Sequence, residues 1–138
     1  FSKVINDLHT FLVGEKKVEM LMWGDRLLNG EDFSYDEWES DFTGTAAAVE
    51  MIPKDIIICD WHYELRKRYE SVEMFCEKGF RVLPAGWEKV EATLNLIRYS
   101  QELNQPLVLG HLFTNWSTKP EQLSRFEPLL QGLPLLLS

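Results

Sequence analysis

Apolar positions along this chain switch between a helical period and short unbroken runs. Over residues 1–13, Val4, Ile5, Leu8, Leu12 and Val13 recur at helical spacing, and Gly14 predicts a stop. KKVEMLMW (16–23) reads as a strand ending at Trp23, followed by a loop over 24–35 with an Asn29-Gly30 turn signal. Residues 36–51, DEWESDFTGTAAAVEM, predict a second helix weakened by Gly44. After Pro53 the run Asp55–Cys59 predicts a second strand, and 62–70 a polar connection. A third helix is expected over 71–78, with Ser71 as N-cap and Gly79 closing it. FRVLPAG (80–86) reads as a short strand ended by Pro84 and Gly86. WEKVEATLNLIRYSQELN (87–104) gives an amphipathic helix with Val90, Leu94, Ile97 and Leu103 near one face. LVLGHLFTNW (107–116) is the fourth strand, and a last helix over about 119–131 is opened by Ser117 or Thr118 ahead of Pro120. The apolar tail GLPLLLS is expected to pack, without an assigned element.

Helices and strands thus alternate, and the strands are apolar without clean alternation. Strands of that kind are covered on both faces, which is the mark of a parallel sheet with crossover helices. The predicted fold class is α/β with parallel βα units. Two architectures fit four such units: half of an eight-stranded (β/α)8 TIM-type barrel, or a small open doubly wound sheet. No linker or internal repeat beyond the βα unit divides residues 1–138, which read as one domain.

Composition narrows the function classes. The chain has 138 residues, 45% of them hydrophobic and 12% aromatic, enough for a sizeable core. Its formal charge of −8 argues against nucleic acid and against an anionic membrane surface, since both need clustered Lys and Arg. The one basic cluster, Arg66-Lys67-Arg68, is flanked by Glu64 and Glu70 and reads as a solvated turn. No apolar stretch reaches the roughly 20 residues of a membrane span. Cys59 and Cys76 read as small buried hydrophobes without zinc spacing, which favours a reducing compartment such as the cytoplasm.

In parallel α/β folds, function gathers at the carboxyl ends of the strands. Here those ends carry Trp23-Gly24-Asp25-Arg26, Asp60-Trp61-His62-Tyr63-Glu64, Trp87-Glu88 and Asn115-Trp116-Ser117. Four of the five tryptophans stand there; Trp38, in the predicted second helix, is the exception. A single Trp at a strand end is most simply a large residue closing the mouth. Four of them, each beside polar groups, fit a pocket walled by indoles and rimmed by hydrogen-bonding groups. Such a pocket suits a sugar, whose ring presents an apolar face and directional hydroxyls. The expected substrate-binding residues are Trp23, Asp25, Asp60, Trp61, Tyr63, Trp87, Asn115 and Trp116.

Catalytic groups are harder to find. Glycoside hydrolysis usually takes two carboxylates flanking the bond. Asp25, Asp60, Glu64 and Glu88 are available, but none forms a pair at one strand end, and no catalytic residue is assigned. A metal set of Asp25, Asp60, His62 and His111 is weighed and set aside, because His111 lies mid-strand. His9 reads as structural, and no Ser or Cys sits at a nucleophile elbow. No phosphate-binding loop is present, and neither a cofactor nor a resident metal is expected.

The segments KKVEMLMWGDRLL, PKDIIICDWHYE, YESVEMFCEKGFRVLPAGW and LVLGHLFTNWS resemble the second half of a family 20 glycoside hydrolase barrel, the β-N-acetylhexosaminidase type. Trp23–Asp25 looks like that family's Trp-acid strand end, Cys59–Trp61 like the next Trp-terminated strand, and 109–116 like the last strand. The resemblance implies a carbohydrate ligand, first of all one containing an N-acetylhexosamine. It also implies an adjacent Asp-Glu pair, in which Glu protonates the glycosidic oxygen and Asp orients the substrate's acetamido group as nucleophile. Only Glu31-Asp32 is adjacent here, in reversed order and in a loop. Two departures bear on substrate identity: Trp116 is followed by Ser117-Thr118 rather than an acid, and 84–87 reads Pro-Ala-Gly-Trp where a Tyr and an Asp are usual.

The expectation is therefore a C-terminal half-barrel with substrate-binding tryptophans and no catalytic pair, which would lie upstream of Phe1. Alone it should be inactive, and its open sheet edges should drive homodimerisation or pairing with the other half. The alternative is a complete open-sheet binding or signalling domain in which Asp25 and Asp60 hold Mg²⁺ at the strand ends.

Overall fold

The computed structural model describes residues 1–117 and 119–138. Four parallel strands are interspersed with helices, with only 3-10 turns between the first two strands: α1 (Ser2–His9), β1 (Leu21–Trp23), β2 (Ile57–Trp61), α2 (Glu70–Glu77), β3 (Arg81–Gly86), α3 (Val90–Glu102), β4 (Leu112–Phe113) and α4 (Glu127–Leu137). The strand order is β1-β2-β3-β4, each parallel to the next. A doubly wound sheet reverses its order at a switch point. This one never does, so every crossover winds the same way and the sheet curls into half a barrel.

Register assigns the two faces. Trp23 pairs with Cys59 and Cys59 with Leu83, while Trp61 pairs with Ala85 and Ala85 with Leu112. Side chains at paired positions share a face and alternate along each strand. Ile56, Ile58 and Val82 point to the helices and join Val72, Phe75 and Leu96 in the core. Phe75 meets Phe80 edge-on there, with ring centroids 6.2 Å apart. Leu21, Trp23, Ile57, Cys59, Trp61 and Ala85 point to the concave face. Ile56 to Cys59 are buried on both sides, whereas Leu21 at the sheet edge is 49% exposed.

Several predicted boundaries move. Gly14 does not stop the first helix, which runs on through a π-helical turn over Thr10–Glu15. Residues 16–20 are not strand: Lys17 takes φ +57° and Val18 N–H donates to Leu12 O, turning the chain out of the helix. The predicted helix over 36–51 does not form, apart from a 3-10 turn at Ala46–Glu50. Polar side chains take the backbone groups that a helix would use. Asp36 Oδ1 accepts N–H bonds from Trp38 and Glu39, and Asp41 accepts those of Thr43 and Ala46. Asp41 stands almost unexposed within this loop; burial alone would raise its pKa, but the bonds from Thr43 and Ala46 hold it well below the usual carboxylate range.

Ser71 is not an N-cap. The α2 cap is Tyr69, without a side-chain hydrogen bond, and Ser71 is buried one residue inside the helix. Gly79 does close α2, at φ +85°. The buried stripe of α3 is Ala92, Thr93, Leu96, Ile97 and Ser100; of the predicted face of Val90, Leu94, Ile97 and Leu103, Ile97 alone is fully buried. Thr93 packs so close to β3 that a Cβ on Gly86 would lie 2.5 Å from its Oγ1. The fourth strand shrinks because Gly110, at φ +143°, breaks the run, although Val108 still bridges Val82 ahead of it. The last helix is a 3-10 turn (Pro120–Arg125) followed by α4, which takes in most of the apolar tail; Thr118 lies outside the described residues. No helix among the described residues is long and apolar enough to cross a membrane.

Candidate functional site

Strand ends deliver the predicted aromatics to the concave mouth. Trp61, last in β2, stands 4.8 Å from the Tyr63 ring, and Tyr63 stands 5.4 Å from Trp87, just past β3. Tyr63 Oη accepts the Trp116 indole N–H at 2.9 Å, joining the β4 end to the same group. Trp116 in turn meets Trp23 at 6.1 Å. Because β1 and β4 are the two edges of the sheet, that contact spans the curl from one edge to the other. Thr114 adds a hydroxyl 3.3 Å from Tyr63 Oη.

Asp25 joins the group from a 3-10 turn after β1. Its Oδ1 accepts the Trp61 indole N–H at 3.3 Å, and its Oδ2 holds Arg26 Nε at 2.7 Å. Beside the cluster lies an open groove of about 600 Å³, lined by Trp87, Glu88, Asn115, Trp116, Gln122 and Arg125 among others. Asn115 Oδ1 is engaged by the Ser117 N–H, at 2.8 Å. A second hollow of about 770 Å³ lies between loop 41–49 and α2, away from the strand ends. We place the candidate site at the first, where indoles and polar groups converge.

Seven of the eight predicted binding residues thus gather at the mouth. Asp60 does not. It precedes Trp61 within β2, so alternation turns it to the helix side, where it is 1% exposed. There it belongs to a buried polar network. Ser71 donates to Asp60 Oδ2 at 2.6 Å, and His62 Nε2 lies 2.8 Å from Ser71 Oγ and 3.3 Å from Asp60 Oδ2. His62 Nδ1 faces Glu39 Oε2 at 3.3 Å, and Glu39 also accepts Arg66 Nη2 at 2.6 Å. Tyr35 Oη meets Ser71 Oγ at 3.1 Å. Burial would lower the His62 pKa, but the Asp60 and Glu39 carboxylates outweigh it and raise it to about 9. Burial, and after it the Asp60 charge, pushes the Tyr35 phenol up to about 12.

The sequence offered no reading of Ser71, Glu39 and Tyr35 as one unit; the available signal was the spacing of Asp60 and His62, two apart on one strand face. Ser, His and Glu here stand in the order of a nucleophile, base and orienting acid. The chemistry is absent, however. An imidazolium at neutral pH cannot take a proton, and neither Ser71 nor His62 has any exposed surface. The network is a structural tie between β2, α2 and the loop after β1.

The metal set weighed from sequence is scattered. Asp25 is on the concave side, Asp60 and His62 are behind the sheet, and His111 packs against Phe113 at 4.8 Å. Burial lowers the His111 pKa to about 4, and neither ring nitrogen has a hydrogen-bond partner among the described residues. Among the described residues no group of three or more His, Cys, Asp or Glu is placed to hold a metal ion. Asp25 and Asp60, on opposite faces, cannot share a Mg²⁺ in this arrangement. A search against models of known protein families finds no match to this chain, and a search of curated proteins finds none either.

Proposed function

We propose that this chain is the carbohydrate-binding half of a glycoside hydrolase-type barrel, resembling the β-N-acetylhexosaminidase class. One observation carries the reading. Trp23, Trp61, Tyr63, Trp87 and Trp116, drawn from all four strand ends, form one continuous aromatic group at the concave mouth. Asp25 and Asn115 stand at its rim with polar atoms for hydroxyls or an acetamido group. Indole faces offer large rigid apolar contact at low entropic cost, and polar groups at the rim make a site selective for ligands that satisfy them. Asp25 is already engaged by the Trp61 indole and Arg26, and in this reading the residues present bind rather than cleave. A partner half, or a second copy set against the open edges of β1 and β4, would complete the barrel.

The test is a titration of the chain with N-acetylglucosamine, followed by tryptophan fluorescence. Expected are a saturable change that Trp61→Ala abolishes, and no hydrolysis of an aryl β-N-acetylglucosaminide by the chain alone. A fluorescence signal indifferent to this sugar and to glucose and galactose would overturn the reading. Light scattering addresses the partner: a monomer with no tendency to associate counts against open barrel edges.

A further inference from the structure

Trp38 is the tryptophan that stands outside the cluster, and it is 70% exposed. Its loop is nevertheless held on every side. Asp36 Oδ1 accepts the Trp38 N–H at 2.9 Å, and Arg26 Nη2 donates to the carbonyls of Glu37 and Trp38, each at 3.2 Å. The next residue, Glu39, is buried against Arg66 and His62. These bonds fix the backbone that presents the indole.

Phe42, 58% exposed, stands with it. Arg26, Glu37, Trp38, Phe42 and Thr43 line a cleft of about 330 Å³, the lower end of the size range of small-ligand sites. The cleft combines two aromatic rings with one positive and one negative group. Arg26 Nε and Nη2 are engaged, while Nη1 makes no hydrogen bond to a described residue, and neither does the Glu37 carboxylate. Arg26 is already paired with Asp25, which argues against a phosphate. Ring faces flanked by one free donor and one free acceptor suit a neutral ring bearing hydroxyls. Arg26, in the cleft's lining, ties it to the mouth: Arg26 binds Asp25, and Asp25 binds the Trp61 indole.

We infer that Trp38 and Phe42, with Arg26 and Glu37, form an outer subsite for a further unit of an oligosaccharide whose first unit lies on the concave cluster. The inference rests on the carbohydrate reading above, and it makes the preferred ligand a chain rather than a single sugar.

Indole ¹⁵N–¹H spectra of the full chain test it, since the five tryptophans give one signal each, assignable by single Trp→Phe substitutions. The probes are N-acetylglucosamine and chitotetraose. Expected are shifts of the Trp61 and Trp116 signals with both probes and of the Trp38 signal with the tetramer alone. Trp38→Ala should weaken tetramer binding about three- to tenfold and leave the monosaccharide unaffected. If Trp61 and Trp116 move and Trp38 does not, the outer subsite falls and the carbohydrate reading stands. If no indole responds to either probe, both fall. A Trp38 signal that shifts with protein concentration, and not with sugar, makes this surface a protein contact and overturns the inference.

Discussion

Raising the pH from 6 to 10 should loosen this fold through one group. His62 is fully buried, with polar and aromatic groups against it: Asp60 from β2, Glu39 and Tyr35 from the loop after β1, Ser71 and Tyr69 at the start of α2, and Arg66 behind Glu39. The bonds fit an imidazolium. Nε2–H donates to Ser71, whose hydroxyl donates to Asp60, and Nδ1–H donates to Glu39. The folded pKa is about 9 against an ordinary 6.5. At roughly 1.4 kcal/mol for each tenfold difference in proton affinity, the charged form contributes about 3 kcal/mol to folding. Because the folded pKa is the higher one, that contribution is complete below pH 6.5 and is lost as pH rises from 6.5 through about 9.

Urea unfolding followed by far-UV circular dichroism, at intervals from pH 6 to pH 10, measures the loss. The control is His62→Gln, which keeps a donor but cannot titrate. Other groups that titrate in this range contribute to both proteins, so the difference between the two curves isolates His62. That difference should shrink by about 3 kcal/mol across the window, a large part of the stability of a domain this size. Parallel curves would refute the reasoning, and so would an imidazole seen to be neutral by NMR at pH 7.

Three further outcomes are expected. Gly86→Ala places a Cβ 2.5 Å from Thr93 Oγ1 and 3.0 Å from His111 Nε2 in a buried strand, so thermal unfolding should show about 1–3 kcal/mol of destabilisation. Asp41→Ala removes the acceptor of the Thr43 and Ala46 bonds and should cost about 1–3 kcal/mol; since the Asp41 pKa is depressed, the wild-type advantage, read from urea midpoints, should vanish as pH falls below the ordinary carboxylate range. Cys59 and Cys76 are buried, and burial raises both thiol pKa values, that of Cys76 to about 11, so an aromatic disulfide reagent at pH 8 should label neither until urea unfolds the chain.

The four parallel βα units were legible because unbroken apolar runs and helical repeats are local signals, and sheet order follows from short connections. The mouth tryptophans were legible for the same reason, each standing at or just past the end of an apolar run. What failed was whatever depended on a boundary or a distant bond. The second strand runs on through Asp60 to Trp61 rather than ending at Cys59, so alternation governs Asp60 too and sets it on the face opposite Trp61. Residues 36–51 carry helix-compatible spacing, yet Asp36 and Asp41 capture local N–H groups while Arg26 and Arg66, far off in sequence, fasten Glu37, Trp38 and Glu39. No periodicity encodes those ties.

The two failures meet in one structural fact. Because Asp60 points backward, it can fix His62 and Ser71, and through His62 the buried Glu39. Because Glu39 is fixed, the residue before it cannot withdraw into the fold, and Trp38 is held out in solvent. An acid that looked like a ligand-binding group thus acts on any ligand at second hand, by holding a loop. Asp60→Asn should therefore leave the Trp61 and Trp116 signals responsive to N-acetylglucosamine while disturbing Trp38. An Asp60 that itself touched sugar would, on the same substitution, weaken the monosaccharide first.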